Sequence, residues 1–484
     1  MKAFVALRTA LLTMAGAAVL APAAQADFNE DQQTCNQITG APDGRVAACT
    51  RQIESGKWEG HNLGVSYNNR GIAYRDKGDP DRALADYNKT IELDAKYAIA
   101  WYNRGNAYAD KKDFDHAIPE YTQAIALDPK YAFAYFGRAA AYQNKKDYDH
   151  AILEYAQAIT LDPKYAMAYF GRAAAYLNKK DYDHAIADYS KAIEINPKFA
   201  TAFNDRGATY VNKNDVDRAF ADYSQAIAID PKYAMAYDNR ASLYQAKGDL
   251  DRAIADYSQL IALAPSISAY NDRGSVYKEK ADFDRAIADY TKAIEINPKV
   301  VALYNNRALA YRYKGDFAAA TADYTQALQL DPKNWSAIFS RGHLAVLTGA
   351  MPAALADLNQ AADMMPKNIY PALWLEIANT RSKVNSRLSQ AAAQFDMTIW
   401  PAPVVRLYLG QLTPEALFAA ADNPNAEVRA ARMCAANFYA GEYLLQQGKK
   451  DDAARLFKPV AAGCQKDLIH FESARSELKT LGAL

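Results

Sequence analysis

The chain has 484 residues, with 56 basic and 56 acidic side chains, and it contains four cysteines and 34 tyrosines. This balance of charge gives no electrostatic reason to expect binding to nucleic acid or to an anionic membrane surface. No stretch after residue 26 has the length and apolarity of a membrane span, so the sequence predicts no membrane insertion for the rest of the chain.

Residues 1–26 have the features of a secretory signal peptide. Lys2 and Arg8 supply the positive amino-terminal part, an apolar run extends over residues 10–21, and Ala-Gln-Ala at 24–26 matches a small-x-small cleavage site. We expect cleavage after Ala26, and no cysteine stands there for lipid attachment. The sequence therefore predicts export from the cytoplasm.

The four cysteines predict two disulfides. An even number of cysteines in an exported chain favours disulfides over a metal site. Cys35 and Cys49 flank a turn signal at residues 41–44, and Cys434 and Cys464 lie near the two ends of the last predicted hairpin. We therefore predict the pairs Cys35–Cys49 and Cys434–Cys464, each stapling a helical cap.

A short helical cap is predicted over residues 27–64, followed by nine repeats over residues 65–366. Residues 131–164 and 165–198 are identical at 25 of 34 aligned positions. Each copy has an apolar-periodic run, a polar turn and a second apolar-periodic run that ends near a proline, which predicts a helical hairpin. A hairpin repeated at a fixed period predicts an all-α solenoid, because a single hairpin cannot bury its apolar face alone.

The repeats align on a small residue in the middle of the first helix, and an alanine follows it twelve residues later. The small residues are Gly71, Gly105, Ala139, Ala173, Gly207, Ala241, Gly274, Ala308 and Gly342. The alanines are Ala83, Ala117, Ala151, Ala185, Ala219, Ala253, Ala286, Ala320 and Ala354. Small side chains at these positions allow the helices to approach closely, and tyrosines fill the space beside them.

This pattern of a small residue, Tyr three positions later, Ala nine further, Tyr four further and Pro eight further resembles the tetratricopeptide repeat family. The resemblance implies a right-handed superhelical solenoid of helix–turn–helix hairpins. It also implies that the first helices line a concave groove that binds peptides or protein segments. With the two predicted disulfides, the expected fold is such a solenoid with disulfide-stapled caps.

Residues 367–484 lose the period, although helices are predicted near residues 371–380 and 414–422 and a last hairpin over residues 430–465. This tail is similar to the C-terminal half of the NlpI-type outer-membrane lipoproteins. The similarity lies in Leu-Trp-Leu at 373–375, Arg-Leu-Tyr-Leu-Gly at 406–410, Asn-Phe-Tyr-Ala-Gly-Glu-Tyr at 437–443 and Glu-Leu-Lys-Thr-Leu-Gly at 477–482. It implies a cell-envelope scaffold that gathers peptidoglycan hydrolases and a protease.

An arginine precedes the small residue in every repeat, and an acid follows that arginine 16 residues later. Positions at this separation lie level across the turn of an antiparallel hairpin, so each arginine can reach an acid. The arginines could instead form a basic ladder for an acidic partner, but internal ion pairs explain the recurring acid better. The predicted structural pairs include Arg138–Glu154, Arg172–Asp188 and Arg206–Asp222.

One face of the first helices, which we call the groove stripe, has five positions spaced i, i+3, i+7, i+10 and i+11. In repeats two to four its first two positions are apolar, and asparagines at its edge could bond to a peptide backbone, which predicts a protein-binding patch. The alternative is that packing against the next repeat buries these side chains. The predicted contact residues are Ile99, Tyr102, Phe133, Phe136, Asn144, Met167, Phe170, Leu177, Asn178 and Asn212.

The sequence predicts no enzyme, no cofactor and no metal site. His116, His150 and His184 recur one repeat apart, too far from one another to share a metal. No nucleophile elbow, phosphate loop or zinc motif occurs. Two hypotheses remain: a periplasmic scaffold that binds proteins or peptides in its groove, or a chaperone or assembly factor of a secretion or exopolysaccharide apparatus. The oligomeric state is left open.

Overall fold

The computed structural model describes residues 30–37, 40–464 and 469–483, and this part of the chain is built from helices without strands. The expected signal peptide at residues 1–26 lies outside the described residues. The chain forms two compact units: unit 1 ends at Ala236 and unit 2 begins at Tyr237. Among the described helices, none combines the length and the apolar character needed to cross a lipid bilayer.

Nine consecutive helical hairpins follow an amino-terminal cap made of α1 (residues 30–36) and α2 (Pro42–Glu54). The first helices are α3 (Gly60–Asp76), α5 (Ala98–Asp110), α7 (Ala132–Asn144), α9 (Ala166–Asn178), α11 (Ala200–Asn212), α13 (Ala234–Ala246), α15 (Ile267–Glu279), α17 (Val301–Lys314) and α19 (Trp335–Thr348). The second helices are α4 (Pro80–Leu93), α6 (Phe114–Leu127), α8 (Tyr148–Leu161), α10 (Tyr182–Ile195), α12 (Val216–Ile229), α14 (Leu250–Leu263), α16 (Phe283–Ile296), α18 (Phe317–Leu330) and α20 (Met351–Met364).

The ends of the second helices follow from local sequence. Asp113 is the N-cap of α6, and its carboxylate accepts a hydrogen bond from the backbone N–H of His116 at 3.3 Å. The helix ends where Asp128 precedes a proline, which cannot continue a helix, and the Asp128 side chain accepts from the N–H of Lys130 at 3.0 Å. The same capping recurs in most of the other hairpins, which explains why the repeats start and stop at equivalent residues.

The turn inside each hairpin contains a residue with a left-handed backbone. Lys146 occupies this position between α7 and α8 with φ of 65°. Its N–H bonds to the carbonyl of Gln143, and the N–H of Asp147 bonds to the carbonyl of Tyr142, which closes the end of α7. Other hairpins place a glycine here, as at Gly248, so a lysine is tolerated at a position that suits glycine better.

The repeat alanines and glycines mark the closest helix contacts. All nine repeat alanines have no solvent exposure. At Gly105 on α5, an added Cβ would lie 2.8 Å from the ring of Tyr121 on α6. Small residues at these positions therefore leave room for a tyrosine ring beside the helix, in agreement with the reason given for the repeat pattern.

Unit 2 continues after the ninth hairpin into the predicted tail. Its helices are α21 (Ile369–Ser382), α22 (Leu388–Ala392), α23 (Ala402–Tyr408), α24 (Pro414–Ala421), α25 (Ala426–Gln446), α26 (Lys450–Gly463) and α27 (Ile469–Thr480). Trp374, Phe438 and Tyr439 lie in the core that joins these helices. The division into a cap at 27–64, repeats at 65–366 and a tail at 367–484 stays a prediction.

Both predicted disulfides are confirmed. Cys35 and Cys49 are joined with their Cα atoms 4.8 Å apart, and Cys434 and Cys464 are joined with Cα atoms 6.0 Å apart. The first links α1 to α2, and the second links α25 to the residue that follows α26. The all-α solenoid of helix–turn–helix hairpins therefore carries a covalent staple near each end of the described chain.

Candidate functional site

In unit 1 the first position of the groove stripe is apolar and exposed in three successive hairpins. The exposed fractions are 40% for Ile99, 50% for Phe133 and 45% for Met167. Large apolar side chains are usually buried, so their recurrence at one register is informative. Val211, at the fourth stripe position of the next hairpin, is also exposed.

The second stripe position differs from the first, because packing covers part of each aromatic side chain. The ring of Phe136 lies 5.6 Å from that of Tyr155 and 5.1 Å from that of Tyr165, which begins the next repeat. Phe170 makes the equivalent contacts with Tyr189 and Phe199, at 5.6 and 4.9 Å. Tyr102 at the second position and Leu177 at the fourth position are also only partly exposed. The packing alternative therefore applies to these four residues in part.

Aromatic rings from successive repeats form a continuous row beside the stripe. Tyr131 lies between Tyr102 and Phe133, with ring centroids 5.1 and 6.1 Å away. Phe133 in turn lies 5.2 Å from Tyr165. These pairs are mostly edge-to-face, an arrangement that aromatic rings favour. The row includes the residues before α7 and α9, which the sequence pattern did not include in the stripe.

The edge asparagines are exposed, but each uses part of its hydrogen-bonding capacity within its own helix. Asn144 donates to the carbonyl of Ala140 at 2.8 Å, Asn178 donates to that of Ala174 at 2.8 Å, and Asn212 does the same one repeat later. An amide nitrogen carries two hydrogens, so each side chain keeps one N–H to offer to a ligand.

Two further amides are oriented by buried tyrosines, a feature that sequence reasoning missed. Tyr121 donates its hydroxyl to Oδ1 of Asn106 at 2.8 Å, and Tyr155 donates to Oε1 of Gln143 at 3.0 Å. Burial raises the pKa of both tyrosines, which keeps their hydroxyls protonated as donors. Because the amide oxygens are engaged, the NH₂ groups of Asn106 and Gln143 are left to donate.

The arginines form ion pairs inside the hairpins, at the predicted separation of 16 residues. Arg172 binds Asp188 with two parallel hydrogen bonds of 2.7 and 2.8 Å. Arg206–Asp222 has the same two parallel bonds, whereas Arg138 uses one nitrogen, Nη2, to donate to both oxygens of Glu154. The pairing acid offsets the charge of each guanidinium, so these arginines serve the fold rather than a basic ladder. The pairs in the other hairpins are Arg70–Asp86, Arg104–Glu120, Arg240–Asp256, Arg273–Asp289, Arg307–Asp323 and Arg341–Asp357.

Several arginines also contact the second helix of the preceding hairpin. Arg206 donates a third hydrogen bond to Oγ of Ser190 on α10 at 2.9 Å. For Arg172, the residue equivalent to Ser190 is Ala156, which has no hydroxyl to accept a hydrogen bond. Arg172 makes the ion pair with Asp188. Arg206 therefore joins two hairpins with polar contacts, in addition to closing its own.

The three histidines pair with carboxylates of their own helices. Nδ1 of His150 lies 2.7 Å from Asp147, the N-cap of α8, and its ring stacks on Tyr142 with centroids 5.1 Å apart. His116 and His184 are held in the same way. Among the described residues, no three potential ligands come together as a metal site.

In unit 2 the C-terminal helix α27 contacts the groove stripe of α17 and α19. Arg312, at the fourth stripe position of α17, donates to the Glu472 carboxylate at 2.6 Å. His343, at the third position of α19, has Nε2 3.1 Å from Oγ of Ser473. The carbonyl of Leu347, at the fifth position, accepts from Ser476. One helix thus occupies the stripe of two successive hairpins.

The far end of α27 is held by a buried charge cluster. One nitrogen of Arg381 on α21 donates to Glu477 at 2.8 Å and to both oxygens of Glu442 on α25 at 2.9 and 2.7 Å. Burial raises the pKa of Glu442 to about 7, against the attraction of Arg381. The cluster joins α21, α25 and α27, which gives α27 a fixed place across the first helices of unit 2.

Two buried histidines lie near the contact between α27 and the stripe: His343 on the stripe, and His470 on α27, whose ring packs against Phe438 and Tyr439 of α25. Burial lowers the pKa of His470 to about 4, and burial together with nearby Arg312 lowers that of His343 well below its usual value. Nδ1 of His343, both ring nitrogens of His470 and Oε1 of Glu472 have no hydrogen-bond partner among the described residues. Neutral imidazoles suit this site, because a buried unpaired charge is costly.

Models of known protein families match the repeats of this chain. Models described as tetratricopeptide repeat match residues 68–132, 166–199, 234–267, 267–300 and 301–334, and a model described as TPR repeat matches residues 144–180 and 207–248. A comparison with curated proteins finds no match.

Solved structures of repeat proteins match parts of the chain. The crystal structure of MamA is 30% identical, covers 34% of this chain and 96% of its own, and has a TM-score of 0.32. YrrB, described as a TPR protein with an unusual peptide-binding site, is 25% identical over 40% of this chain and 96% of its own, with a TM-score of 0.33. A tetratricopeptide repeat protein from Parabacteroides merdae is 21% identical over 51% and 98%, with a TM-score of 0.39. From the repeat models that match most of residues 68–334, together with the hairpin geometry, the chain belongs to the tetratricopeptide repeat family.

Proposed function

We propose that this protein is a periplasmic scaffold that binds segments of other proteins on the groove stripe of unit 1. The observation that carries the proposal is the exposed apolar first position, repeated at Ile99, Phe133 and Met167 in successive hairpins. Contiguous exposed apolar surface costs solubility and marks interaction sites. Proteins of this repeat family act through protein–protein interaction, which supports the same conclusion.

The chemistry of the stripe supports a protein ligand over a charged small molecule. From the third to the fifth hairpin, none of the stripe positions carries a lysine or an arginine, and the nearby ladder arginines are neutralised by their acids. Apolar side chains and amide N–H donors remain, and these match apolar side chains and backbone carbonyls. Binding of nucleic acid is not expected on such a surface.

Location outside the cytoplasm is proposed from two observations. Disulfides persist in oxidising compartments, and this chain has two of them and no free cysteine among the described residues. The pattern at residues 1–26 is that of a secretory signal peptide. Together they support a periplasmic protein.

The partners we propose are envelope proteins, and the similarity of the tail to NlpI-type lipoproteins suggests peptidoglycan hydrolases or a protease among them. The proposed role requires no catalysis by this chain. A chaperone or assembly factor is the second candidate, and the aromatic row through Tyr131, Phe133 and Tyr165 favours it, because a row of aromatic side chains accepts many apolar sequences.

Photo-cross-linking in intact cells tests the proposal. A photo-reactive phenylalanine analogue replaces Phe133 or Met167 in the full chain, and the attached proteins are identified by mass spectrometry. The control replaces Leu153 on α8, which is 67% exposed and lies outside the stripe. A few folded envelope proteins attached only at the stripe support a scaffold, and a broad set of secreted clients supports a chaperone. Equal attachment at Leu153 would overturn both.

A further inference from the structure

One helix of the protein, α27, already binds the groove stripe of unit 2. Side chains of α27 bind α17, α19 and α21 of unit 2 through Glu472, Ser473, Ser476 and Glu477. These four residues lie at i, i+1, i+4 and i+5, on one side of a helix. The stripe positions of this chain's own hairpins can therefore bind side chains from one side of an α-helix.

The stripe of unit 1 has smaller side chains at the third position, where α27 contacts the stripe of α19. On α19 of unit 2 the residue at the third stripe position is His343, which contacts α27. In three hairpins of unit 1 the same position is an alanine, namely Ala140, Ala174 and Ala208. Small side chains let helices approach each other closely, as they do inside these hairpins. The unit 1 stripe can thus admit a helix at least as closely as unit 2 admits α27.

The two stripes select different helices. In unit 2, Arg312 and Arg381 bind the carboxylates of α27. In the third to fifth hairpins of unit 1, the fourth position is Gln143, Leu177 or Val211, and the fifth is asparagine. The stripe positions of these hairpins include neither basic nor acidic residues, so a carboxylate or a cation on the ligand would lose its hydration there without compensation. The ligand face must therefore be uncharged and largely apolar.

We propose that the stripe of unit 1 binds its partners as an amphipathic α-helix, whose uncharged apolar face packs on Phe133, Met167 and the alanines at the third position. This rests on the proposed function and names the form of the ligand. The amide edge of Asn144, Asn178 and Asn212 then faces the polar flank of the bound helix. A helix that presents carboxylates on its contact face, as α27 does with Glu472 and Glu477, is excluded from unit 1 and is accepted in unit 2.

The test uses the spacing of the partner residues that become attached to the photo-reactive analogue at Phe133, Met167 or Val211 of the full chain. A bound helix presents residues three, four or seven apart on one face, whereas an extended segment presents every second residue. We expect separations of three, four and seven. Separations of two would overturn the helix inference and leave the proposed function standing, and the absence of any attached segment would overturn both.

A second measurement does not depend on cross-linking. Ala140→Trp combined with Ala174→Trp fills the third stripe position, and capture of the partner should fall at least about tenfold. Gln157→Trp, on the exposed side of α8, is the control for adding tryptophan to the third repeat. Circular dichroism checks that each variant is folded. Unchanged capture by the folded double variant would overturn the inference, because a helix could not then approach the backbone there.

Discussion

The groove stripe has the same register in both units and opposite occupancy. In unit 2, α27 occupies the stripe of α17 and α19 through buried polar contacts to Arg312 and His343. In unit 1, Phe133 and Met167 remain half exposed at the equivalent face. The hairpin framework is common to both, so the difference lies in the side chains that line the stripe. A repeat fold can therefore use one surface to complete itself in one region and to present a binding site in another.

The largest expected effect of this difference is on stability at the fourth stripe position. Arg312→Met should lower the free energy of unfolding of unit 2 by about 4 kcal/mol, because it leaves the buried Glu472 without a cation. Val211→Met, at the same register in unit 1, should change stability by less than about 0.5 kcal/mol. Urea unfolding with hydrogen exchange resolved by peptide measures both. Similar losses of unfolding free energy in the two variants would show that the fourth stripe position contributes equally to stability in both units.

The buried histidines should make unit 2 sensitive to acid. The pKa of His470 falls from 6.5 to about 4 on folding, so its stabilising contribution is complete above pH 6.5 and is lost as the pH falls toward 4. The full loss from this residue is about 3 kcal/mol. Glu442 acts in the opposite sense over an overlapping range, because folding raises its pKa.

His470→Phe isolates this effect. The difference in unfolding free energy between the variant and the parent should change by about 3 kcal/mol in favour of the variant between pH 7 and pH 4. Chemical denaturation at several pH values measures it. A difference that stays constant with pH would mean that His470 is not buried as a neutral group.

In unit 1 the ion pairs should matter for folding and not for binding. Arg172→Met should destabilise unit 1 by about 3 kcal/mol by leaving Asp188 unpaired, and adding Asp188→Leu should recover much of the loss. Arg206→Met should cost about 1 kcal/mol more, because it also removes the bond to Ser190. A double-mutant cycle from urea unfolding tests this. No recovery in the double variant would argue against the pairing.

The smallest effect is expected at the hairpin turns. Lys146→Gly should stabilise unit 1 by about 0.5 to 1 kcal/mol, because glycine adopts a positive φ without steric cost. Thermal unfolding should show a small rise in Tm, and partner capture should stay unchanged since the turn lies outside the stripe. A fall in Tm would mean that the lysine side chain contributes more than its backbone strain costs.

The features predicted from sequence have local or repeated causes. The hairpins follow from periodicity, the pair Arg172–Asp188 from a fixed spacing, and the two disulfides from turn positions and hairpin ends. The position of α27 could not be predicted, because Glu472 and Arg312 are 160 residues apart and the contact occurs once. Partial burial of Phe136 likewise depends on how Tyr165 of the next repeat is placed.

The most direct test of the account is quantitative affinity capture with exposed residues changed inside and outside the stripe. Phe133→Asp combined with Met167→Asp places charge on the open stripe, and Leu153→Asp places it on the more exposed α8 surface. The account predicts that the double variant keeps its thermal stability and loses capture by at least about tenfold, while Leu153→Asp captures like the parent. Full capture by a folded double variant would contradict the claim that the unit 1 stripe is the binding surface.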